Sequence, residues 1–251
     1  MLIQLCEDMH LDSISISFEG EGNMKLNIRQ ILDLSQSITP SDFQNPAFPP
    51  SNIQICMTYE NEGWMGEIIS AATHLGTHVD SPAHRIESGK TIEDFPLQRF
   101  WGEAVPIDLF YKNPEEEITL MDFQRYMDKI KEGDNILLCT GWSDKKNMGS
   151  KEEYIFNSPW LGRQACLMLI DKKVNAVGID HFSIGGAKPE NVNIAHDLLL
   201  NAEVLVFEDL KLPRELLKKE RWYFAAFPML AGSMSGSFIR AVAIDFENDI
   251  L

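Results

Sequence analysis

The sequence predicts an α/β protein of one domain, built on a mixed β-sheet with helices packed against it. Three observations lead to this fold class. The first part of the chain is rich in β-branched apolar segments, the middle alternates helical and strand patterns, and the last part returns to β character. A chain of 251 residues can bury a sizeable core and is short enough for a single domain.

Strand patterns dominate the N-terminal part of the chain. Apolar, β-branched runs predict strands at residues 28–34, 53–57, 66–73 and 103–110. Pro106 lies inside the last run and indicates an edge strand or a bulge, because proline cannot donate to a sheet ladder. A long irregular loop, of a kind that is more often functional than a linker, is predicted before the second strand by Pro40, Pro46, Pro49 and Pro50.

Helices and strands alternate through the rest of the chain. Residues 120–133 have apolar positions three to four apart, which predicts a helix with Thr119 as N-cap and Gly133 as its stop. Further helices are expected at residues 163–173 and 194–201. Strands are expected at residues 136–140, 176–180, 204–207, 223–227 and 238–246. The sequence has no internal repeat, so 1–251 is predicted to be one domain.

The composition argues against nucleic-acid and membrane partners. The formal net charge of -16 disfavours binding to a polyanion. Glu220 interrupts the densest basic cluster, which consists of Lys218, Lys219 and Arg221. No stretch approaches the roughly 18 apolar residues that span a bilayer. We therefore expect neither kind of partner.

Cysteine usage favours a reducing compartment. Cys6, Cys56, Cys139 and Cys166 are far apart in sequence and form no C-x-x-C motif. The last two lie in apolar runs and are expected in the core. The first ten residues contain neither Lys nor Arg, unlike a secretory signal. Together these features predict a cytoplasmic location.

Three of the six histidines fall within residues 74–84, together with an aspartate, Asp80. Neutral imidazole and carboxylate are the usual ligands of zinc, manganese or iron, so this segment predicts a metal site. A single loop histidine is more often solvated or hydrogen-bonded within the fold. The clustering is what favours a ligand role.

Neither a regular helix nor a flat strand brings these side chains to one point. On a helix, His74 and His78 would share a face that Asp80 does not. On a flat strand, His74 and His78 would lie roughly 13 Å apart at about 3.3 Å per residue, which metal–nitrogen bonds of about 2.0–2.1 Å can barely span. Gly76 permits a bend and Pro82 forces another, so we predict a strand that breaks into a curled loop.

The same segment resembles the signature of the cyclase-like hydrolase family, H-x-G-T-H-x-D-x-P-x-H. The family includes bacterial kynurenine formamidase and isatin hydrolase. The signature is matched without a gap by His74, Gly76, Thr77, His78, Asp80, Pro82 and His84. The similarity continues through residues 33–35, 140–142, 177–183, 196–200, 207–210 and 237–245, whereas 1–27 has no counterpart and is interpreted as an N-terminal extension. The resemblance implies a swivelling β/β/α fold with a barrel-like β core flanked by helices.

The resemblance also implies a set of metal ligands. The first two histidines and the aspartate of the motif correspond to His74, His78 and Asp80. Members with two metals add a later pair, which matches His196 and Glu208. About 10 Å of helix after His196 and roughly 13–16 Å of returning strand would bring the pair together independently. The alternative is a helix-start histidine and an unrelated surface acid. The implied cofactor is zinc or manganese, as one or two ions.

His84 matches the catalytic histidine of the family. That role implies a general base that takes a proton from metal-activated water and passes it to the leaving nitrogen. The rival interpretation makes His84 a third histidine ligand. His181 follows a predicted strand end and is expected to be structural rather than a substrate contact. Residues 232–236 are rich in glycine and serine and predict a turn at the rim of the site.

The resemblance implies hydrolysis of a C–N bond in an aryl formamide, such as N-formylkynurenine in tryptophan catabolism, or in a cyclic amide. The candidates for the apolar walls around an aromatic substrate are Phe48, Trp64 and Trp142. Two alternatives use the same residues: a non-catalytic metal-binding protein, and a metal-dependent cyclase or lyase. Family members are often dimers or tetramers, so we expect a homodimer or homotetramer acting on a small molecule.

Overall fold

Short strands make up most of the regular structure. The computed structural model describes residues 14–17, 25–39, 48–145, 150–188 and 191–247. The strands are β1 (Ile14–Ser17), β2 (Lys25–Asp33), β3 (Asn52–Met57), β4 (Gly66–Ser70), β5 (His78–Asp80), β6 (Trp101–Asp108), β7 (Glu117–Ile118), β8 (Asn135–Cys139), β9 (Trp160–Leu161), β10 (Ala176–Ile179), β11 (Leu205–Glu208), β12 (Trp222–Ala225), β13 (Gly236–Phe238) and β14 (Val242–Phe246).

Helices are fewer and short. The α-helices are α1 (Lys151–Phe156), α2 (Arg163–Asp171) and α3 (Val192–Asn201). Turns of 3-10 helix lie at Pro82–His84, Ile92–Asp94, Leu97–Phe100, Leu120–Tyr126, Trp142–Lys145 and Arg214–Lys218. None of the helices in the described ranges is long and apolar enough to cross a membrane.

Ten strands form one mixed sheet, as the sequence predicted. Their order is β1-β2-β14-β12-β6-β8-β10-β11-β5-β13. The four central strands, β6, β8, β10 and β11, are parallel, and the strands on either side pair antiparallel. The hairpin of β3 and β4 forms a separate two-stranded sheet, as do β7 and β9.

The large sheet curls on itself. β13 lies at one end of the strand order and β14 lies third from the other end. Only residues 239–241 join them, and a chain advances at most about 3.3–3.6 Å per residue. The two ends of the sheet must therefore approach each other, which produces the predicted barrel-like core.

Both faces of the sheet are buried. On β8, Ile136 and Leu138 point to the side covered by α2 and α3, whereas Leu137 and Cys139 point into the curl. This alternation follows from the two-residue period of a strand. The continuous apolar run at 136–139 is typical of a parallel strand that is covered on both sides.

The helix expected at 120–133 and the strand expected at 238–246 differ from the structure. The helix predicted at 120–133 is a 3-10 helix that ends at Tyr126. Its start is as predicted, with the Thr119 backbone N–H donating to Asp122 Oδ2 at 2.6 Å. Just after its last residue, the Met127 carbonyl accepts a hydrogen bond from Lys172 Nζ at 2.6 Å. The strand predicted at 238–246 is divided into β13 and β14.

The edge strand or bulge expected at Pro106 is not present, because β6 is an interior strand that is paired without a register shift. β6 lies inside the sheet, but its pairing with β12 ends at Ala104. Pro106 therefore has a strand neighbour on one side only, at β8, which is why the missing N–H is tolerated.

Part of the predicted loop, 40–47, lies outside the described residues, as does most of the extension 1–27. Cys56, Cys139 and Cys166 are free thiols.

Candidate active site

Strand register places three of the predicted ligands on one face of the sheet. β5 pairs antiparallel with β11, so that His78 lies opposite Glu208 and Asp80 lies opposite Val206. Cross-strand partners share a face, and Val206 packs in the cluster under the helices. The side chains of His78, Asp80 and Glu208 are therefore directed towards α3. The intervening Val79 is buried on the other face.

A bend before β5 brings His74 to the same place. Gly76 has φ +61, and a Cβ there would lie 2.8 Å from a side-chain carbon of Ile38. Glycine is suited to both constraints because it has no side chain. The bend turns the chain back so that His74 Nδ1 lies 2.6 Å from Asp80 Oδ1. The curled loop is therefore present, although 78–80 is a true strand within it.

The second bend positions His84. Pro82 begins a 3-10 turn at its first position, where proline needs no backbone hydrogen bond. Ser81 anchors the turn, since its backbone N–H and its hydroxyl both donate to the Ser235 carbonyl at 2.9 Å. His84, at the end of the turn, lies with Nδ1 3.2 Å from His74 Nε2.

A β-α-β crossover brings His196 and Glu208 together. α3 connects the parallel strands β10 and β11, so His196 in its middle returns over the end of β11. His196 Nε2 lies 3.0 Å from Glu208 Oε1 and 3.6 Å from Asp80 Oδ2. Glu208 Oε1 also accepts from the Ile184 backbone N–H at 2.7 Å. The structure thus brings all five predicted ligands and His84 together.

Thr77 fixes the end of the strand that carries Glu208. Its hydroxyl donates to the Asp209 carbonyl at 2.7 Å and accepts from the Gln36 backbone N–H at 2.8 Å. Asp209 has φ +50, an uncommon conformation for a residue with a side chain. Its carboxylate also accepts from Gln36 Nε2 at 2.8 Å. This network explains the threonine of the motif as a positioning residue.

The charged groups of the site shift one another's pKa values. Burial opposes ionisation throughout, yet the carboxylates of Asp80 and Glu208 hold the pKa of His78 well above its ordinary value. Despite burial, Glu208 and Asp80 raise the pKa of His196 to about 9. Burial raises the pKa of Glu208, but His196 outweighs it and brings the value to about 2. For His84, burial dominates and lowers the pKa to about 4.

The donor atoms fit a divalent cation. His78 Nε2 and Asp80 Oδ2 are buried and have no hydrogen-bond partner among the residues that the structure describes. His78 Nε2 lies 3.3 Å from Asp80 Oδ1 and 3.4 Å from Glu208 Oε2. Two ligands about 2.1 Å from a tetrahedral ion are separated by roughly 3.4 Å. Uncompensated buried polar atoms are costly, and a cation at this spacing would satisfy them.

Two overlapping groups of ligand atoms share one aspartate. His74, His78 and Asp80 form the first group, and Asp80, His84 and His196 form the second, each with its ligand atoms within 4.8 Å of one another. A shared carboxylate is compatible with one ion or with two adjacent ions. The second group keeps open the interpretation of His84 as a ligand.

A pocket of about 180 Å³ opens onto this cluster. Phe48 is part of its wall and stacks on the His74 ring, with centroids 6.0 Å apart and an interplanar angle of 9°. Trp64 is half exposed on the β3–β4 hairpin, and Trp142 is buried with its indole N–H donating to the Tyr154 carbonyl. Neither tryptophan lines this pocket, so the structure does not support them as its walls. His181 is buried and bonded to backbone carbonyls, which agrees with a structural role.

Several residues of the site were missed or only touched on by the sequence argument. Ser235 Oγ lies 3.0 Å from His74 Nε2. Gly236 is paired with Asp80, and a Cβ there would lie 2.5 Å from His74 Cε1. The glycine- and serine-rich segment was expected at the rim, but it supports His74 directly. Arg85 also lines the pocket and was not singled out.

Known proteins are similar to this chain over most of its length. Kynurenine formamidase of Bacillus mycoides is 24% identical over 214 residues, which are 85% of this chain and 96% of that protein. Isatin hydrolase A from Labrenzia aggregata, solved with benzyl benzoate bound, has a TM-score of 0.75 at 22% identity and covers 86% of this chain and 93% of its own. A structure described as a potential metal-dependent hydrolase with cyclase activity has a TM-score of 0.71 at 26% identity, over 87% of this chain and 99% of its own.

The family itself is identified by a model that spans the predicted motif. Residues 32–185 match the Cyclase family, described as "Putative cyclase". The matched region is more than half of the chain and contains β5, the curled loop and the strand before α3. The chain belongs to the cyclase family.

Proposed function

We propose that this chain is a metal-dependent hydrolase of amide C–N bonds, with an aryl formamide or a cyclic amide as substrate. The observation that carries the proposal is a pair of buried atoms, His78 Nε2 and Asp80 Oδ2, which have no hydrogen-bond partner within the described part of the chain. Asp80 also lines the pocket. Relatives named kynurenine formamidase and isatin hydrolase support the reaction class. We propose zinc or manganese as the ion, and the cytoplasm as the location.

His74, His78, Asp80, His196 and Glu208 are the proposed ligands. The bound ion would polarise the substrate carbonyl and lower the pKa of water at the site. The protein contributes a fixed, largely buried geometry, so little rearrangement is needed when substrate binds.

His84 is the proposed general base and acid. It lines the pocket, and its Nδ1 faces His74, which leaves Nε2 for the reactants. Nε2 can accept a proton from the attacking water and then donate it to the amide nitrogen as the C–N bond breaks. Phe48 provides an apolar wall beside the reacting carbonyl, which is suited to an aromatic substrate.

The test combines metal content with turnover. The purified protein is assayed by elemental analysis, and hydrolysis of N-formylkynurenine and of isatin is followed before and after chelation. We expect a bound divalent metal and turnover of at least one substrate that chelation abolishes and metal restores. A protein that binds no metal under any loading condition would remove the basis of the proposal.

A metal-binding protein without turnover is the second candidate. It is favoured by the grouping of Asp80, His84 and His196, in which His84 is a ligand and no base remains. Bound metal without hydrolysis of any formamide, cyclic amide or lactone would support this candidate over the first.

A further inference from the structure

The wall of the pocket contains one cationic side chain among the described residues, Arg85. Above the proposed ligands and His84, the pocket is lined by Phe48, Phe182, Ser183, Val192, Asn193 and Arg85. Of these described residues only Arg85 is charged. The proposed function does not use it, although it follows His84 directly in the chain.

The guanidinium of Arg85 is held in place by α3. Its Nε donates to Asp197 Oδ1 at 2.8 Å, while its terminal nitrogens have no hydrogen-bond acceptor among the described residues. The side chains are 32% and 49% exposed, so the ion pair alone adds little to stability. The hydrogen bond to Asp197 instead fixes the orientation of the guanidinium. Because this bond uses only Nε, the terminal N–H groups are available to a ligand.

A planar guanidinium with free terminal N–H groups is suited to a carboxylate, which it binds through two parallel hydrogen bonds. Phe48 and Phe182 add aromatic surface to the same small pocket. The pocket therefore combines an apolar wall with an anion-binding group. A neutral aromatic amide would leave the guanidinium without a ligand partner.

We propose that Arg85 selects amide substrates that carry an anionic group, most simply a carboxylate on or near an aromatic ring, and that Asp197 is its positioning residue. The inference rests on the proposed function and deepens it. The net charge of -16 repels anions at long range, so such substrates need a local cation to bind here.

The test compares substrates that differ only in charge. Metal-loaded protein is assayed with formanilide and with its three ring-carboxylated isomers, which contain the same scissile bond. Three variants are compared. Arg85→Gln removes the charge, and Arg85→Lys keeps the charge but lacks the two parallel N–H donors of a guanidinium. Asp197→Asn removes the carboxylate that positions Arg85. Arg163→Gln is the matched control, because Arg163 is an exposed residue at the start of α2.

We expect at least one carboxylated isomer to be preferred over formanilide, through a lower KM. Arg85→Gln should reduce kcat/KM for that isomer roughly ten- to hundredfold, with a much smaller effect on formanilide. Arg85→Lys and Asp197→Asn should give intermediate losses, and Arg163→Gln none. Equal losses for charged and neutral substrates, or no loss, would overturn the role of Arg85.

A binding measurement separates this inference from the proposed function. The dissociation constants of the three aminobenzoates and of aniline are measured by calorimetry on the metal-loaded wild type and on Arg85→Gln. If no formanilide is hydrolysed, the proposed function fails for this substrate class. Weaker aminobenzoate binding to Arg85→Gln would still support the anion site, whereas unchanged binding would refute it.

Discussion

The imidazole of His78 faces the carboxylate of Glu208 across two neighbouring strands, with Nε2 3.4 Å from Oε2. The two residues are 130 positions apart in the sequence, so their meeting depends on the antiparallel register of β5 and β11. A slip of one residue in that register would turn His78 to the opposite face of the sheet. The geometry of the site is therefore a property of the sheet as much as of the motif.

Asp80→Asn should abolish metal binding. Asp80 belongs to both groups of ligand atoms, and an amide is a weaker ligand than a carboxylate. In the wild type, metal at a hundred times its dissociation constant should add about 2.7 kcal/mol, or roughly 5–10 °C in Tm for a chain of this size. Elemental analysis and thermal unfolding with and without zinc or manganese measure both effects, and the variant should show neither.

Asp128→Asn is the control for that substitution, because Asp128 is exposed and lies far from the cluster in sequence. It should keep the wild-type metal content and the wild-type shift in Tm. If Asp80→Asn retains both as well, the proposed ligand set is wrong.

Gly236→Ala should weaken metal binding through His74. The added Cβ would lie 2.5 Å from His74 Cε1, so the imidazole must move. Overpacking of this kind costs about 1–3 kcal/mol, and the displaced ring loses its alignment with Asp80. The measurements are metal affinity by competition with a chelator and the free energy of unfolding in denaturant.

Gly232→Ala provides the comparison within the same glycine- and serine-rich segment, 232–236. Gly232 has φ +91, but a Cβ there meets nothing within 4 Å. It should lose about 1–2 kcal/mol of stability through backbone strain alone, with metal affinity intact. Equal metal affinity in the two variants would refute the supporting role of Gly236.

His84→Gln separates the two roles considered for His84. As a general base, it contributes about 10²–10⁴-fold to kcat, and its loss should leave metal content unchanged. As a ligand, its loss should remove metal in parallel with activity. We expect the first result, measured as kcat and as metal content on the same preparation. Parallel loss of metal would assign His84 to the ligand set.

The curled loop could be predicted because its causes lie within eleven residues of sequence. Gly76 and Pro82 are local signals, and their bends explain how His74 and His78 reach one point. The support from Ser235 could not be predicted in the same way, because it depends on the pairing of β13 with β5, and Ser235 is 161 positions from His74 in the sequence. Non-local pairing is set by the whole fold and has no signature in a short window.

Helix α1 was not predicted, although the sequence contains a signal for its start. Ser150 and Glu153 form a capping box, in which each backbone N–H donates to the other side chain at 3.1 Å. The serine and glutamate three residues apart are visible in the sequence. The helix has only six residues, which is too few for apolar periodicity to reveal it.

The β3–β4 hairpin predicts self-association. Ile53 is paired with Ile69, and Ile55 lies two residues further along, so the three side chains share one face. They are 37%, 64% and 58% exposed. Contiguous exposed apolar surface marks an interaction site, and the simplest partner is a second copy of this chain. We therefore expect a dimer or tetramer by light scattering.

The double substitution Ile55→Glu and Ile69→Glu should produce a monomer, because it places two charges in the buried face of the proposed contact. Gln54→Glu is the control, since Gln54 alternates to the opposite face of the hairpin. It should leave the oligomer intact. A wild-type chain that remains monomeric at micromolar concentration would contradict the prediction, and an unchanged oligomer in the double variant would place the interface elsewhere.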